Sequence, residues 1–273
     1  MVPSGKRNWA TPRDNNLGLH RIENRAGLSI SVLPNGCVFA LEHRREDGTT
    51  MINQLLGAPV DGGVARLYLR IGGAAPISVE AAGPGARGRF GAAGEGFVWE
   101  GETSRLRHRV TLSLHPQDAA WLWCLEVTNI GEADRTIDAI LIQDIGLGER
   151  GFLMNNEAYA SQYIDHHIAR HARCGPVVMS RQNLPQGGRN PWVVHGCLDG
   201  ASGFATDGMQ LFGPAFRDRD AFRFAFGTSL PSKRLQHELA CAAIQSSPVG
   251  LPPGARVAWR FFGLYNQNHA EAS

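Results

Sequence analysis

Ala120-Trp-Leu-Trp-Cys-Leu-Glu-Val-Thr128, Asn129-Ile-Gly-Glu-Ala-Asp134 and Arg135-Thr-Ile-Asp-Ala-Ile-Leu-Ile-Gln143 follow one another without interruption. The first and third runs are rich in aromatic and β-branched residues, which fit a pleated, half-buried surface. The middle run carries the Asn, Gly and Asp of a turn. This reads as strand, turn and returning strand, and it predicts a hairpin. Trp121 and Trp123 share one strand face and are expected in the core.

The same pattern spreads outward. Leu28-Ser-Ile-Ser-Val-Leu33, the turn Pro34-Asn-Gly36 and Cys37-Val-Phe-Ala-Leu41 predict a second hairpin. Ala65–Ile71 and Arg105–Leu114 alternate as strands. Further strands are expected at 191–197, 203–205, 222–226, 237–244 and 256–265, the last after the turn Leu251-Pro-Pro-Gly254. Short helices are expected only near 181–188 or 217–221, with none longer than about three turns. Residues 83–94 are glycine-rich but lack the Gly-Lys-Ser/Thr ending of a phosphate-binding loop. The expected fold class is all-β, with antiparallel sheets packed face to face. Residues 1–25 read as an N-terminal strap and 26–273 as a single β-super-sandwich domain.

Composition narrows the function classes. The 273 residues carry 27 basic and 25 acidic side chains, so no basic excess suggests nucleic-acid binding. No apolar run approaches the roughly 20 residues of a membrane helix, and residues 1–16 do not read as a secretory signal. The five cysteines are odd in number and form no Cys-x-x-Cys pair, which fits reduced buried thiols in a cytoplasmic protein. No cofactor is expected.

The polar chemistry concentrates in Asn155-Asn-Glu-Ala-Tyr-Ala-Ser-Gln-Tyr-Ile-Asp-His-His167. With Asn155–Glu157 in a loop and a strand from Ala158, Tyr159, Ser161, Tyr163, Asp165 and His167 would share one face. Such a face can stack on a sugar ring and bond its hydroxyls; the alternative is that the tyrosines pack on a neighbouring sheet. The expected substrate-binding residues are Asn156, Glu157, Tyr159, Gln162, Tyr163 and Asp165, with Trp192, after Asn190-Pro191, as a further stacking platform. Adjacent His166 and His167 on a strand point apart, and no His-Glu-x-x-His pattern is present, so no metal site is expected. Glu100, Glu102, Asp144, Glu157 and Asp165 set no carboxylate separation that would define glycoside chemistry. A Gly-x-Ser-x-Gly elbow is absent.

These residues carry a resemblance. Ile52-Asn-Gln54, Gly57-Ala-Pro59, Asp61-Gly-Gly63, Arg66-Leu-Tyr-Leu-Arg70, the run Asn155–His166 and Arg260-Phe-Phe-Gly-Leu-Tyr265 resemble the N-terminal β-domain of 1,2-β-oligoglucan phosphorylases. That family lies within the cellobiose-phosphorylase and cyclic β-1,2-glucan synthase group, formerly glycosyltransferase family 36. The resemblance implies a galactose-mutarotase-like β-super-sandwich that shapes the substrate site and a homodimer. It also implies a catalytic (α/α)₆ barrel that phosphorolyses β-1,2-linked glucans to glucose 1-phosphate. The helical periodicity of such a barrel is absent from these 273 residues. The expectation is a non-catalytic β-domain that binds a β-glucan oligosaccharide and works with a barrel on another chain or in a further part of the protein. Two other readings stay open. One is a mutarotase-like enzyme using His195 or His167 with Glu157 as acid and base; the other is a structural assembly module.

Overall fold

A computed structural model describes residues 18–54, 65–72, 76–94, 96–212, 227–236 and 239–273, with the side chains of Glu157 and Ala158 also outside the description. The chain begins with β1 (His20–Glu23), β2 (Leu28–Val32), β3 (Val38–Arg45), β4 (Gly48–Met51), β5 (Arg66–Ile71), β6 (Ile77–Ala82) and β7 (Arg89–Ala93). It continues through β8 (Gly96–Thr103), β9 (Leu106–Leu114), β10 (Ala120–Asn129), β11 (Arg135–Asp144) and β12 (Gly148–Glu149) into helix α1 (Arg150–Gln162). After β13 (Ile164–His171), β14 (Gly175–Gln182), β15 (Trp192–Cys197) and β16 (Ala201–Asp207) comes the one-turn helix α2 (Met209–Phe212). The last strands are β17 (Ala240–Ser246), β18 (Val249–Leu251) and β19 (Arg256–Asn266).

Three antiparallel sheets result, as the all-β reading expects. A five-stranded sheet runs β1-β2-β3-β4-β12, and a six-stranded group runs β16-β17-β11-β5-β6 with β18 beside β11. The eight-stranded sheet runs β13-β14-β15-β19-β10-β9-β8-β7. One hydrophobic cluster draws on all three: Leu28 and Ile30, Leu67 and Leu69, and Phe97, Trp123 and Phe261. Trp121 and Trp123 lie in this core, 2% and 1% exposed.

Registers fix the inner face. Trp121 on β10 is opposite Gly263 on β19, and Gly263 is opposite His195 on β15. Gly263 is there because the Trp121 indole fills its side-chain space; a Cβ would lie 2.1 Å from Cζ2. Glycine in a strand marks such close approaches. On the other face of the six-stranded group, Arg70 grips Asp138 with two bonds of 2.6 Å, both residues being buried. Gln245 donates to Asp138 at 3.3 Å and accepts from the Leu230 amide at 2.8 Å, while Arg70 donates to the Thr228 carbonyl. That ion pair therefore ties the 228–230 segment to β5, β11 and β17.

The β2–β3 hairpin forms as expected. The 120–143 hairpin does not. β10 pairs with β9 and β19, and β11 pairs with β5, β17 and β18, so 130–134 is a crossing between sheets. Asn129 holds that crossing, donating to the carbonyls of Ala133 and Leu251. Within the expected strap, His20–Glu23 is the edge strand β1. The helix expected near 181–188 is instead the end of β14 and a turn. The strand expected at 222–226, the helix at 217–221, and the Gly57–Pro59 and Asp61–Gly63 motifs lie outside the described residues.

Candidate functional site

The polar run is a helix, not a strand. From Arg150 to Gln162 no residue is β-branched, and Leu153 and Ala160, two turns apart, bury one stripe. They pack on Ala40 and Met51. Helical spacing then sets Tyr159 and Tyr163 side by side across one turn. Their rings meet edge to face at 4.9 Å, and the Tyr163 hydroxyl donates to that of Tyr159 at 2.7 Å. That bond, ahead of desolvation, pushes the Tyr163 phenol pKa up. Ser161 is buried away from the pair, which corrects the shared strand face.

The helix is pinned at both ends. At its start the Glu149 amide donates to Gln186 Oε1 at 3.2 Å, and Arg45 reaches the Glu149 carboxylate at 3.2 Å. Arg45 also bonds Thr50 and Asp47, and Arg189 bonds Asp47 at 2.6 Å. Hydrogen bonds from Arg189 and then Arg45 hold the Asp47 pKa down to about 2. At its end, Gln54 Nε2 donates to both Ser161 Oγ and the Ile145 carbonyl at 2.7 Å. The Ala240 amide donates to the same Ser161 oxygen, and Gln182 donates to the Ala160 carbonyl. Asn53, beside Gln54, accepts from the Leu41 amide at 2.8 Å. Thus Gln54 of the Ile52-Asn-Gln54 motif holds the end of the helix by a buried amide, and Asn53 ties the same segment to β3. Sequence reading missed that role; the signal was two carboxamides directly after an apolar strand end.

The expected site residues divide. Tyr159 is 47% exposed, Asn156 and Gln162 are exposed, and Tyr163 is half-buried, so α1 presents them outward. Asn155 and Asn156, both exposed, donate back to the carbonyls of Gly151 and Phe152, and Asn156 breaks the helical φ/ψ. Asp165, next along on β13, accepts from Gln236 at 2.9 Å. The Glu157 side chain lies outside the described residues. Trp192 is not an exposed platform. It is 8% exposed, stacks on His269 at 4.9 Å and donates to the Ala272 carbonyl at 2.9 Å. The C-terminal segment covers it, with Arg181 bonding the His269 carbonyl.

The histidines also separate. His166 and His167 point apart, as expected on a strand: His166 is buried against Ser180 Oγ at 2.9 Å and His167 is exposed. His195 is 1% exposed, edge-on to Trp121 at 5.6 Å, and neither ring nitrogen is hydrogen-bonded among the described residues. Burial, with His166 nearby, pushes its pKa down to about 3. It is enclosed in the core, so it does not face a sugar as an acid or base here.

His195 makes stability depend on pH. Its folded pKa lies below the ordinary 6.5, so the contribution of the neutral ring is complete above pH 6.5 and is lost as pH falls toward 3. One such proton is worth about 1.4 kcal/mol per pH unit. Burial pushes His43 and His108 in the same direction. Between pH 6.5 and 5 the thermal midpoint is expected to drop, and His195→Phe to flatten that slope. Equal slopes in both proteins would count against it.

The family model described as the SOGP N-terminal domain matches residues 31–263. The chain belongs to this family. Over 249 residues this SOGP N-terminal domain is 29% identical to a 1,2-beta-oligoglucan phosphorylase of Listeria innocua serovar 6a, covering 91% of the chain and 22% of the relative. The chain therefore spans about a fifth of that curated relative. Among solved structures, a bacterial glucoamylase complexed with acarbose superposes with a TM-score of 0.54 at 10% identity, covering 97% of this chain and 34% of that one. A polysaccharide lyase gives 0.52 at 11% identity, covering 94% and 33%. These two likenesses establish a shared fold. No helix among the described residues of the SOGP N-terminal domain is long and apolar enough to cross a membrane.

Proposed function

We propose that this chain is the non-catalytic, carbohydrate-associated β-domain of a glycoside phosphorylase system acting on β-1,2-linked glucans and releasing glucose 1-phosphate. It works in the cytoplasm with an (α/α)₆ catalytic barrel carried on another chain or in a further part of the protein. In this proposal the exposed face of α1, with Asn156, Glu157, Tyr159, Gln162 and Tyr163 and with Asp165 beside it, shapes the substrate end of the barrel's site. A homodimer of the domain is part of the same proposal. The observation that carries it is the likeness to a 1,2-beta-oligoglucan phosphorylase across 91% of the chain. The outward phenols and carboxamides of α1 support it, since such groups recognise sugar faces and hydroxyls.

The test is a titration with a β-1,2-linked glucotriose, followed by amide chemical shifts, on the protein alone and mixed with a glucan phosphorylase barrel. Shifts are expected on α1, and Tyr159→Ala should weaken binding about tenfold, or ~1.4 kcal/mol. Silence of α1 in both samples would overturn the assignment.

A further inference from the structure

The glycine-rich run 83–94 has no part in the α1 surface. It builds a small pocket at the other edge of the eight-stranded sheet, where β7 is the last strand and β13, which follows α1, is the first. Seven strand spacings, roughly 34 Å, separate the two edges. The cavity is about 200 Å³, and Pro34, Asn35, Arg87, Arg89, Phe90 and Trp99 are among its lining residues.

Two glycines allow its walls to close. Gly36, at φ +82°, lies where a Cβ would come within 2.5 Å of Trp99 Nε1. Gly88, at φ +142°, presses on the Glu100 carbonyl, which a Cβ would meet at 2.0 Å. The floor is aromatic, with the Phe90 and Trp99 rings 5.0 Å apart. Trp99 is 2% exposed, yet its indole N–H has no hydrogen-bond partner among the described residues. A buried orphan donor is costly and calls for an explanation.

The rim is charged and unbalanced. The Glu100 carboxylate is taken by Arg109 at 3.1 Å. Arg87 and Arg89 are exposed and enter no ion pair among the described residues. Glu100 stands opposite Arg89 across the β7–β8 ladder, but Arg109 already holds it, so the rim keeps two unengaged guanidiniums of the kind that fork onto phosphate. An aromatic floor takes the apolar face of a sugar ring. The volume is below the roughly 300–1,000 Å³ of drug-sized sites, which suits a single ring.

We infer that this pocket binds a phosphorylated monosaccharide, its phosphate between Arg87 and Arg89 and its ring on Phe90. The assignment does not depend on the role proposed for α1. The test uses glucose 1-phosphate and glucose 6-phosphate as probes, with glucose and inorganic phosphate as comparisons. The readout is the indole N–H resonance of Trp99, identified by its loss in Trp99→Phe. A sugar phosphate is expected to shift that resonance at millimolar concentration. The Arg87→Ala/Arg89→Ala double variant should weaken binding at least tenfold without moving the thermal midpoint, and Phe90→Ala should also weaken it. The inference is overturned by silence of the resonance with both sugar phosphates, by binding that survives the double arginine change, or by glucose or inorganic phosphate alone binding as tightly.

Discussion

Gly263→Ala is expected to lower stability by about 3 kcal/mol, the upper end of the range for overpacked cores. The added Cβ would stand 2.1 Å from Trp121 Cζ2 and 2.2 Å from Cε2. Trp121 has nowhere to go. It is 2% exposed, its indole N–H donates to Gln143 at 3.2 Å, and His195 closes its edge. The clash also falls in the middle of the eight-stranded sheet, where β19 pairs on both sides. Guanidinium denaturation measures the loss. Shrinking the neighbour in the same background, Trp121→Leu, should recover part of it. An unchanged midpoint for Gly263→Ala would mean that the indole does not occupy this space.

Arg70→Met is expected to cost about 3–5 kcal/mol, because it strands the Asp138 carboxylate in the fold. Both members of the pair are buried, at 4% and 8% exposure. Among the described residues, Asp138 keeps the weaker bond from Gln245 alone when the guanidinium is gone. The double variant Arg70→Met/Asp138→Leu should be more stable than Arg70→Met alone, since replacing a buried pair costs less than breaking it. A denaturation cycle on the four proteins decides this. Additive losses would show that the two groups do not depend on each other.

What the sequence disclosed follows the range of the forces involved. The β2–β3 hairpin was legible because its turn is local chemistry: Asn35 accepts from the Cys37 amide at 3.1 Å, and Gly36 takes φ +82°. The 120–143 hairpin had the same local marks, but partner choice is not local. A difference was present in the pattern. β10 alternates buried and half-buried residues along its length, whereas β11 is buried at every position from Ile137 onward. A strand covered on both faces belongs in the middle of a packed layer. For α1, tyrosines at 159 and 163 fit both periods, and the lack of β-branched residues was the deciding sign. The covering of Trp192 by His269 and Ala272 depends on a segment some eighty residues away, which Asn190-Pro191 could not announce. The family was legible from short runs distributed along the chain, and the match over 31–263 agrees with it. The sugar contacts assigned to α1 are a matter for the titration described above.

The position of β19 bears on how the chain comes to be made. It is the last of the described strands, yet it lies between β15 and β10 and joins two halves of the eight-stranded sheet. Until it emerges, both flanking strands present unpaired backbone edges and a row of tryptophans to their surroundings. At synthesis rates of roughly 5–20 residues per second, the stretch from β10 to β19 takes on the order of ten seconds. Nascent material is then open to mispairing at these edges.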